Sequence, residues 1–128
     1  MNEAFINTMR WAQLTFTEDD PIKVDLDYWF DYIDRIHADG IVLSTGGYIA
    51  YHQSKVPYQY MSKYLNGRDL IGEAVERARS RGMGIIVRTD PHAMHQDAFE
   101  AHPEWAMVLA DGTPRPHWSM PGVWVTCA

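Results

Sequence analysis

Ile41-Val42-Leu43-Ser44-Thr45 and Gly84-Ile85-Ile86-Val87-Arg88-Thr89 decide the fold of this chain. Both are short apolar runs bounded by glycine, the pattern of strands buried on both faces of a parallel sheet. Between them, residues 69–81 change to helical periodicity. Asp69 stands at the start, and Leu70, Ile71, Ala74, Val75 and Ala78 form one apolar face. Arg77, Arg79 and Arg81 suit the C-terminal end of the helix dipole, and Gly82 closes the helix. Strand, helix, strand is the repeating unit of α/β architecture.

The same alternation continues upstream. Residues 10–17, Arg10-Trp11-Ala12-Gln13-Leu14-Thr15-Phe16-Thr17, have the content of a strand, ended by Glu18-Asp19-Asp20 and Pro21. Asp25 is placed to cap a helix over 26–38, with Leu26, Trp29, Ile33 and Ile36 as its apolar stripe and Gly40 as its stop. A βαβαβ order predicts a parallel sheet. An open nucleotide-binding sheet would carry a glycine-rich first turn. Here that turn is Thr17-Glu18-Asp19-Asp20, acidic and glycine-free, so a closed barrel is expected by elimination.

A TIM-type (β/α)₈ barrel needs about 250 residues, with a floor near 200. The 128 residues present allow about three of the eight βα units. The expectation is therefore a single partial barrel domain over 1–128 of the α/β class, incomplete, with β1 at about 10–17, β2 at about 41–45 and β3 at about 84–89. Residues 93–102 read as a short helical turn. A β-hairpin insertion is expected over about 104–126, with strands at 104–109 and 123–126, a tight turn at Asp111-Gly112, and a proline-rich segment at 114–121. The aromatic stretch from Tyr48 to Tyr64 has no clean period and is too long for a simple connector, which marks it as a functional loop.

Composition narrows the class. A hydrophobic share of 46%, a charged share of 22% and a formal charge of −6 suit a soluble domain, and argue against a partner as anionic as nucleic acid. No run approaches the roughly 20 apolar residues that cross a bilayer, so no membrane association is expected. Met1-Asn2-Glu3-Ala4-Phe5 lacks the basic start and apolar core of a secretory signal, and a single cysteine allows no internal disulfide. A cytoplasmic location is the expectation.

Two stretches carry a resemblance. His102-Pro103-Glu104-Trp105 followed by Ala110-Asp111-Gly112 resembles the element after the third strand of many barrel glycoside hydrolases. Trp11-Ala12-Gln13-Leu14-Thr15-Phe16, Ser44-Thr45-Gly46-Gly47-Tyr48, Asp90-Pro91-His92 and Val125-Thr126-Cys127 are similar to the N-terminal part of the hypothetical glycosyl hydrolase group, related to barrel α-L-fucosidases and to β-galactosidases with a trimerisation domain. The resemblance implies a glycoside-hydrolase barrel; no cofactor is expected, and no resident metal, since the His92–His95 spacing is weak for a metal pair and no second ligand cluster is evident. The resemblance also implies that the main catalytic carboxylates, usual at strands four and seven, lie outside these residues.

Glycoside hydrolysis needs two carboxyl groups about 5–10 Å apart. Asp90, directly after an apolar strand, is the best placed carboxylate. Arg88 is expected to pair with it, since a charge on an apolar strand needs a partner, and the acidic run 18–20 reads as a solvated loop. Carbohydrate is gripped by rings, on which the apolar face of a sugar stacks. Tyr48, His52, Asp90, His92, His117 and Trp118 are the expected substrate-binding residues, with Trp118 as the platform. Trp11 and Trp29 are assigned to the core, Trp105 and Trp124 to a pair across the hairpin, and Cys127 to a buried small residue. Two other readings stay open: a non-catalytic fragment or carbohydrate-binding remnant, and a metal-dependent barrel hydrolase built on Asp90, His92 and His95. The unpaired edges of strands one and three predict self-association, or pairing with the missing remainder of the barrel.

Overall fold

A computed structural model describes residues 6–127; Met1-Asn2-Glu3-Ala4-Phe5, read above for a signal, lie outside the described residues. In chain order the elements are β1 (Trp11–Leu14), α1 (Asp20–Lys23), α2 (Leu26–Arg35), β2 (Gly40–Gly47), α3 (Leu70–Ser80), β3 (Gly84–Asp90), β4 (Ala93–His95), α4 (Gln96–Ala101), a 3₁₀ turn (Pro103–Trp105) and β5 (Val123–Val125). β1, β2 and β3 form a parallel sheet in sequential order, and β4 and β5 form a separate antiparallel pair. The first strand is shorter than the expected 10–17, and the other two run slightly beyond their expected ends.

Local chemistry sets the helices. The Asp25 carboxylate accepts from the Asp27 and Tyr28 amides at 3.0 and 3.1 Å, satisfying two donors that the first turn leaves free. α2 then buries Leu26, Phe30 and Ile33. Trp29 and Ile36 are 40% and 46% exposed, which corrects the expected stripe: Phe30, at i+4 from Leu26, takes the inward position. The stop also differs. The chain leaves the helix at His37, a non-glycine residue at φ +54°, and Gly40 instead opens β2 beneath the Trp11 ring. A Cβ on Gly40 would meet that ring at 2.7 Å. α3 follows its expected course, capped by Asp69 on the Gly72 amide at 2.8 Å and ended by Gly82 at φ +66°.

The core lies between one face of the sheet and the two long helices. Phe30, Ile33, Ile41, Leu43 and Leu70 are fully buried, each stabilising by roughly 1.5–3 kcal/mol over exposure. Arg77–Asp27 at 2.8 Å and Arg81–Asp34 at 3.0 Å clip α3 to α2 on the outside. Ile86 and Val87 of the edge strand β3 are 37% and 63% exposed.

The loop between β2 and α3 is tethered rather than free. Ala50 bridges to Met61, and the buried Tyr51 hydroxyl donates to the Phe16 carbonyl at 2.8 Å. Tyr60 Oη donates to Glu18 Oε1 at 2.6 Å, Ser62 Oγ donates to the Glu18 carbonyl, and Arg68 Nη1 donates to the Pro21 carbonyl at 2.6 Å. The acidic run thus anchors the loop instead of being merely solvated. Asp19 pairs with Lys23, and Asp20 accepts from the Thr17 amide at 2.6 Å.

The C-terminal part departs most from expectation. Residues 93–102 hold a strand as well as a helix, and the strand expected over 104–109 is a 3₁₀ turn followed by isolated bridges, Ala106 to Thr126 and Val108 to Pro114. β5 forms its ladder with β4 (Ala93 opposite Val125), and 104–109 also reaches it: Ala106 bridges to Thr126, and the Met107 amide donates to the Val125 carbonyl at 2.8 Å. The turn at Asp111-Gly112 forms: Leu109 N donates to the Thr113 carbonyl at 2.8 Å, and Gly112 sits at φ +82°. Trp124 stacks on Phe99 at 4.1 Å and donates to Gln96, while Trp105 is 45% exposed, so these two tryptophans are not a cross-hairpin pair. Cys127 is exposed, not buried. Among the described residues no helix is long and apolar enough to cross a membrane.

Candidate functional site

Parallel strands deliver their C-terminal ends to one rim, where α/β proteins place ligand sites. Thr15, Phe16, Ser44, Gly46, Tyr48, Ile49, Tyr51 and Asp90 line a hollow of about 20 Å³ there. That is room for about one water-sized group. Ser44 Oγ is buried with no hydrogen-bond partner among the described residues, a polar atom left at the floor. Strand alternation could have found it, because Ser44 shares a face with Val42 and not with the core residues Ile41 and Leu43.

The rim is shaped by an irregularity in the β2–β3 register between Ser44 and Gly46, where Thr45 Oγ1 donates to the Arg88 carbonyl at 3.1 Å. Such slips re-aim side chains at strand ends. Gly47, at φ +104°, lets the backbone pass directly against that of Asp90. The Asp90 carboxylate is 18% exposed and accepts from Arg88 Nε and Nη2 at 2.9 and 2.6 Å, the pair that the sequence led us to expect.

Above this floor stand rings. Tyr48 lies edge-on to His92 with centroids 5.5 Å apart and tilted toward His117 at 6.5 Å. His117 stacks on Trp118 at 3.9 Å, and Trp118 is 72% exposed. The His117 amide donates to the Val123 carbonyl at 2.9 Å, which pins the proline-rich loop. Tyr48, Asp90, His92, His117 and Trp118 therefore gather around one rim. His52 does not join them. It faces a separate open hollow of about 510 Å³ with Thr45, Ile71, Val75 and Val87, beside α3, and its Nδ1 is buried without a partner among the described residues.

His95 is also drawn elsewhere. Its ring stacks flat on Tyr60 at 3.8 Å, and burial holds its pKa below the ordinary imidazole value. The Tyr60 phenol is pushed up to about 12, first by its hydrogen bond to Glu18 and then by burial. Among the described residues no group of three or more His, Cys, Asp or Glu side chains is arranged to hold a metal ion. The set Asp90, His92 and His95 is thus not a ligand cluster in this fold.

The described residues form a mixed α/β domain with a three-stranded parallel sheet and a ring-lined rim at its strand ends. The chain belongs to the hypothetical glycosyl hydrolase 6 family, which it matches over residues 25–127. Comparison with curated protein sequences gives no match. Among solved structures it resembles alpha-L-fucosidase isoenzyme 2 from Paenibacillus thiaminolyticus, with a TM-score of 0.60 and 18% identity. That likeness covers 92% of this chain and 19% of the fucosidase, and at this identity it speaks for the fold alone.

Proposed function

We propose that this chain is the N-terminal portion of a glycoside-hydrolase (β/α)₈ barrel, supplying the first three strands and part of a carbohydrate-binding rim, while the principal catalytic carboxylates lie outside it. The observation that carries this reading is the gathering of Tyr48, His92, His117 and Trp118 above the C-terminal ends of the parallel strands. Trp118, backed on one side by His117 and open to solvent, is the sugar platform, and the others supply edge contacts and hydrogen bonds. Sugar rings bind through C–H faces on aromatic surfaces, with hydroxyls meeting polar groups at the edge.

Carboxylate chemistry supports the second half. Asp90 is engaged by Arg88, and Glu18, Asp19 and Asp20 are each held by Tyr60, Lys23 and the Thr17 amide. A glycosidase needs one carboxyl to protonate the leaving oxygen and a second to attack or to activate water. Two free, facing carboxyl groups are not found among the described residues of this rim. The substrate class is a terminal glycoside, with fucoside and galactoside as the first candidates.

The test is tryptophan fluorescence of the 128-residue chain titrated with L-fucose and D-galactose, beside an aryl-glycoside activity screen of the same sample. Saturable quenching that Trp118→Ala abolishes, without turnover, is the expected result. Absence of any sugar response from folded protein would remove the platform. Turnover by the isolated chain would remove the claim that the acids lie elsewhere.

A further inference from the structure

The His102-Pro103-Glu104-Trp105 motif has no part in the rim just described, yet its geometry is specific. The 3₁₀ turn puts residues i and i+3 over one another, and the His102 and Trp105 rings stack at 3.8 Å and 6°. Glu104 Oε1 lies 3.1 Å from His102 Nδ1 and fixes that imidazole. The Trp105 carbonyl accepts from the Cys127 amide at 2.9 Å, so the turn is held from behind. Tyr58 sets its edge against both rings, at 5.1 and 6.3 Å. Tyr58 itself is at φ +59°, a conformation that a bulky side chain adopts only at a cost, and that clusters at binding sites.

Tyr58 and Trp105 remain 44% and 45% exposed. Together with Tyr48, Val56, Tyr60 and Met94 they line a hollow of about 120 Å³. Tyr48 is the link, since it lines this hollow and the floor of the rim alike. Tyr48 therefore joins a hollow walled by Tyr58 and Trp105 to the floor hollow at the strand ends, and its ring meets His117, on which Trp118 stacks.

We infer that the Tyr58–His102–Trp105 cluster is a second sugar subsite, so that the ligand class is an oligosaccharide of at least two units rather than a single sugar. The inference rests on the carbohydrate reading of the rim. The first unit sits at Trp118, and the next extends past Tyr48 onto Trp105. Trp105 is immobilised by His102 before the ligand arrives, so little side-chain freedom is lost on binding.

Calorimetric titration of the full chain tests it, with L-fucose against 2′-fucosyllactose and D-galactose against lactose. The oligosaccharide of at least one pair should bind about tenfold tighter than its monosaccharide. Trp105→Ala should erase that gain and leave the monosaccharide affinity within about twofold. Tyr58→Asn is the companion variant, since asparagine tolerates positive φ and removes only the ring; it should act in the same direction. Equal affinity within both pairs, or a gain that survives both variants, overturns the second subsite while monosaccharide binding keeps the rim. No binding of any of the four sugars by folded protein overturns both.

Discussion

Replacing Gly47 with alanine tests how the rim is assembled. Gly47 ends β2 at φ +104°, and a Cβ there would stand 2.5 Å from the Asp90 nitrogen and nearer still to its carbonyl group. Two costs add. Forcing an L side chain into positive-φ backbone costs roughly 1–2 kcal/mol. The overlap is with main chain, so relief means shifting β3 rather than turning a rotamer, and overpacking of this kind costs about 1–3 kcal/mol. Their sum of about 2–5 kcal/mol is a large share of the ~5–15 kcal/mol that holds a domain folded. Two other glycines separate the terms. Gly112 has φ +82° but open space around it, so Gly112→Ala carries the backbone cost alone. Gly46 would meet only Gln59 Oε1 at 3.6 Å, so Gly46→Ala should fall within about 0.5 kcal/mol of wild type. Thermal unfolding followed by circular dichroism reads all three. At roughly 4 °C per kcal/mol for a domain of this size, Gly47→Ala should lower Tm by about 8–20 °C and Gly112→Ala by about 4–8 °C. If Gly47→Ala melts together with Gly112→Ala, the close passage of β2 and β3 is wrong, and with it the position of Asp90.

Two further predictions concern the frame around the site. Asp25→Ala removes the acceptor for the Asp27 and Tyr28 amides and should cost about 1 kcal/mol in a urea unfolding curve, whereas Asp25→Asn should stay close to wild type. His95 gives a pH dependence with a definite sign. Burial depresses its folded pKa, so the unfolded chain takes up the proton first, and stability present above the ordinary value of about 6.5 declines as pH falls below it. His95→Phe, which keeps a ring against Tyr60, should flatten the fall of unfolding midpoints as pH drops below about 6.5; an unchanged slope would show that His95 is not the group responsible.

The βαβαβ order was legible because each element carries its own period and its own cap: Asp25, Asp69 and Gly82 act where the sequence places them. What escaped depended on three-dimensional choice. Trp29 and Phe30 are both apolar and both near the stripe, and only the direction fixed by Leu26 and Ile33 selects Phe30. The helix stop at His37 uses a positive φ in a residue that gives no glycine signal. Residues 104–109 have strand composition, but Pro103 begins a 3₁₀ turn, and β5 forms its ladder with 93–95 while 104–109 reaches it through the Ala106–Thr126 bridge. At the site, Tyr48, Asp90 and His92 were readable as strand exits, and the proline-rich loop brings His117 and Trp118 to them. His52 was misplaced because the chain doubles back at Ala50 and Met61, which turns Tyr51 inward and sends His52 toward α3. Ser44 and Trp105 were passed over, one for looking like strand and the other for looking like core.

The three tethers from residues 60–68 to residues 18–21 bear on time as well as shape. A wall fastened to the exit of the first strand through Tyr60, Ser62 and Arg68 acts as a buttress, without the swing of a flap. On the proposed carbohydrate reading, ligand entry needs no slow gating step of the microsecond-to-millisecond kind that lids impose. Stopped-flow traces should show a single phase whose rate rises linearly with sugar concentration, with no plateau to mark a rearrangement.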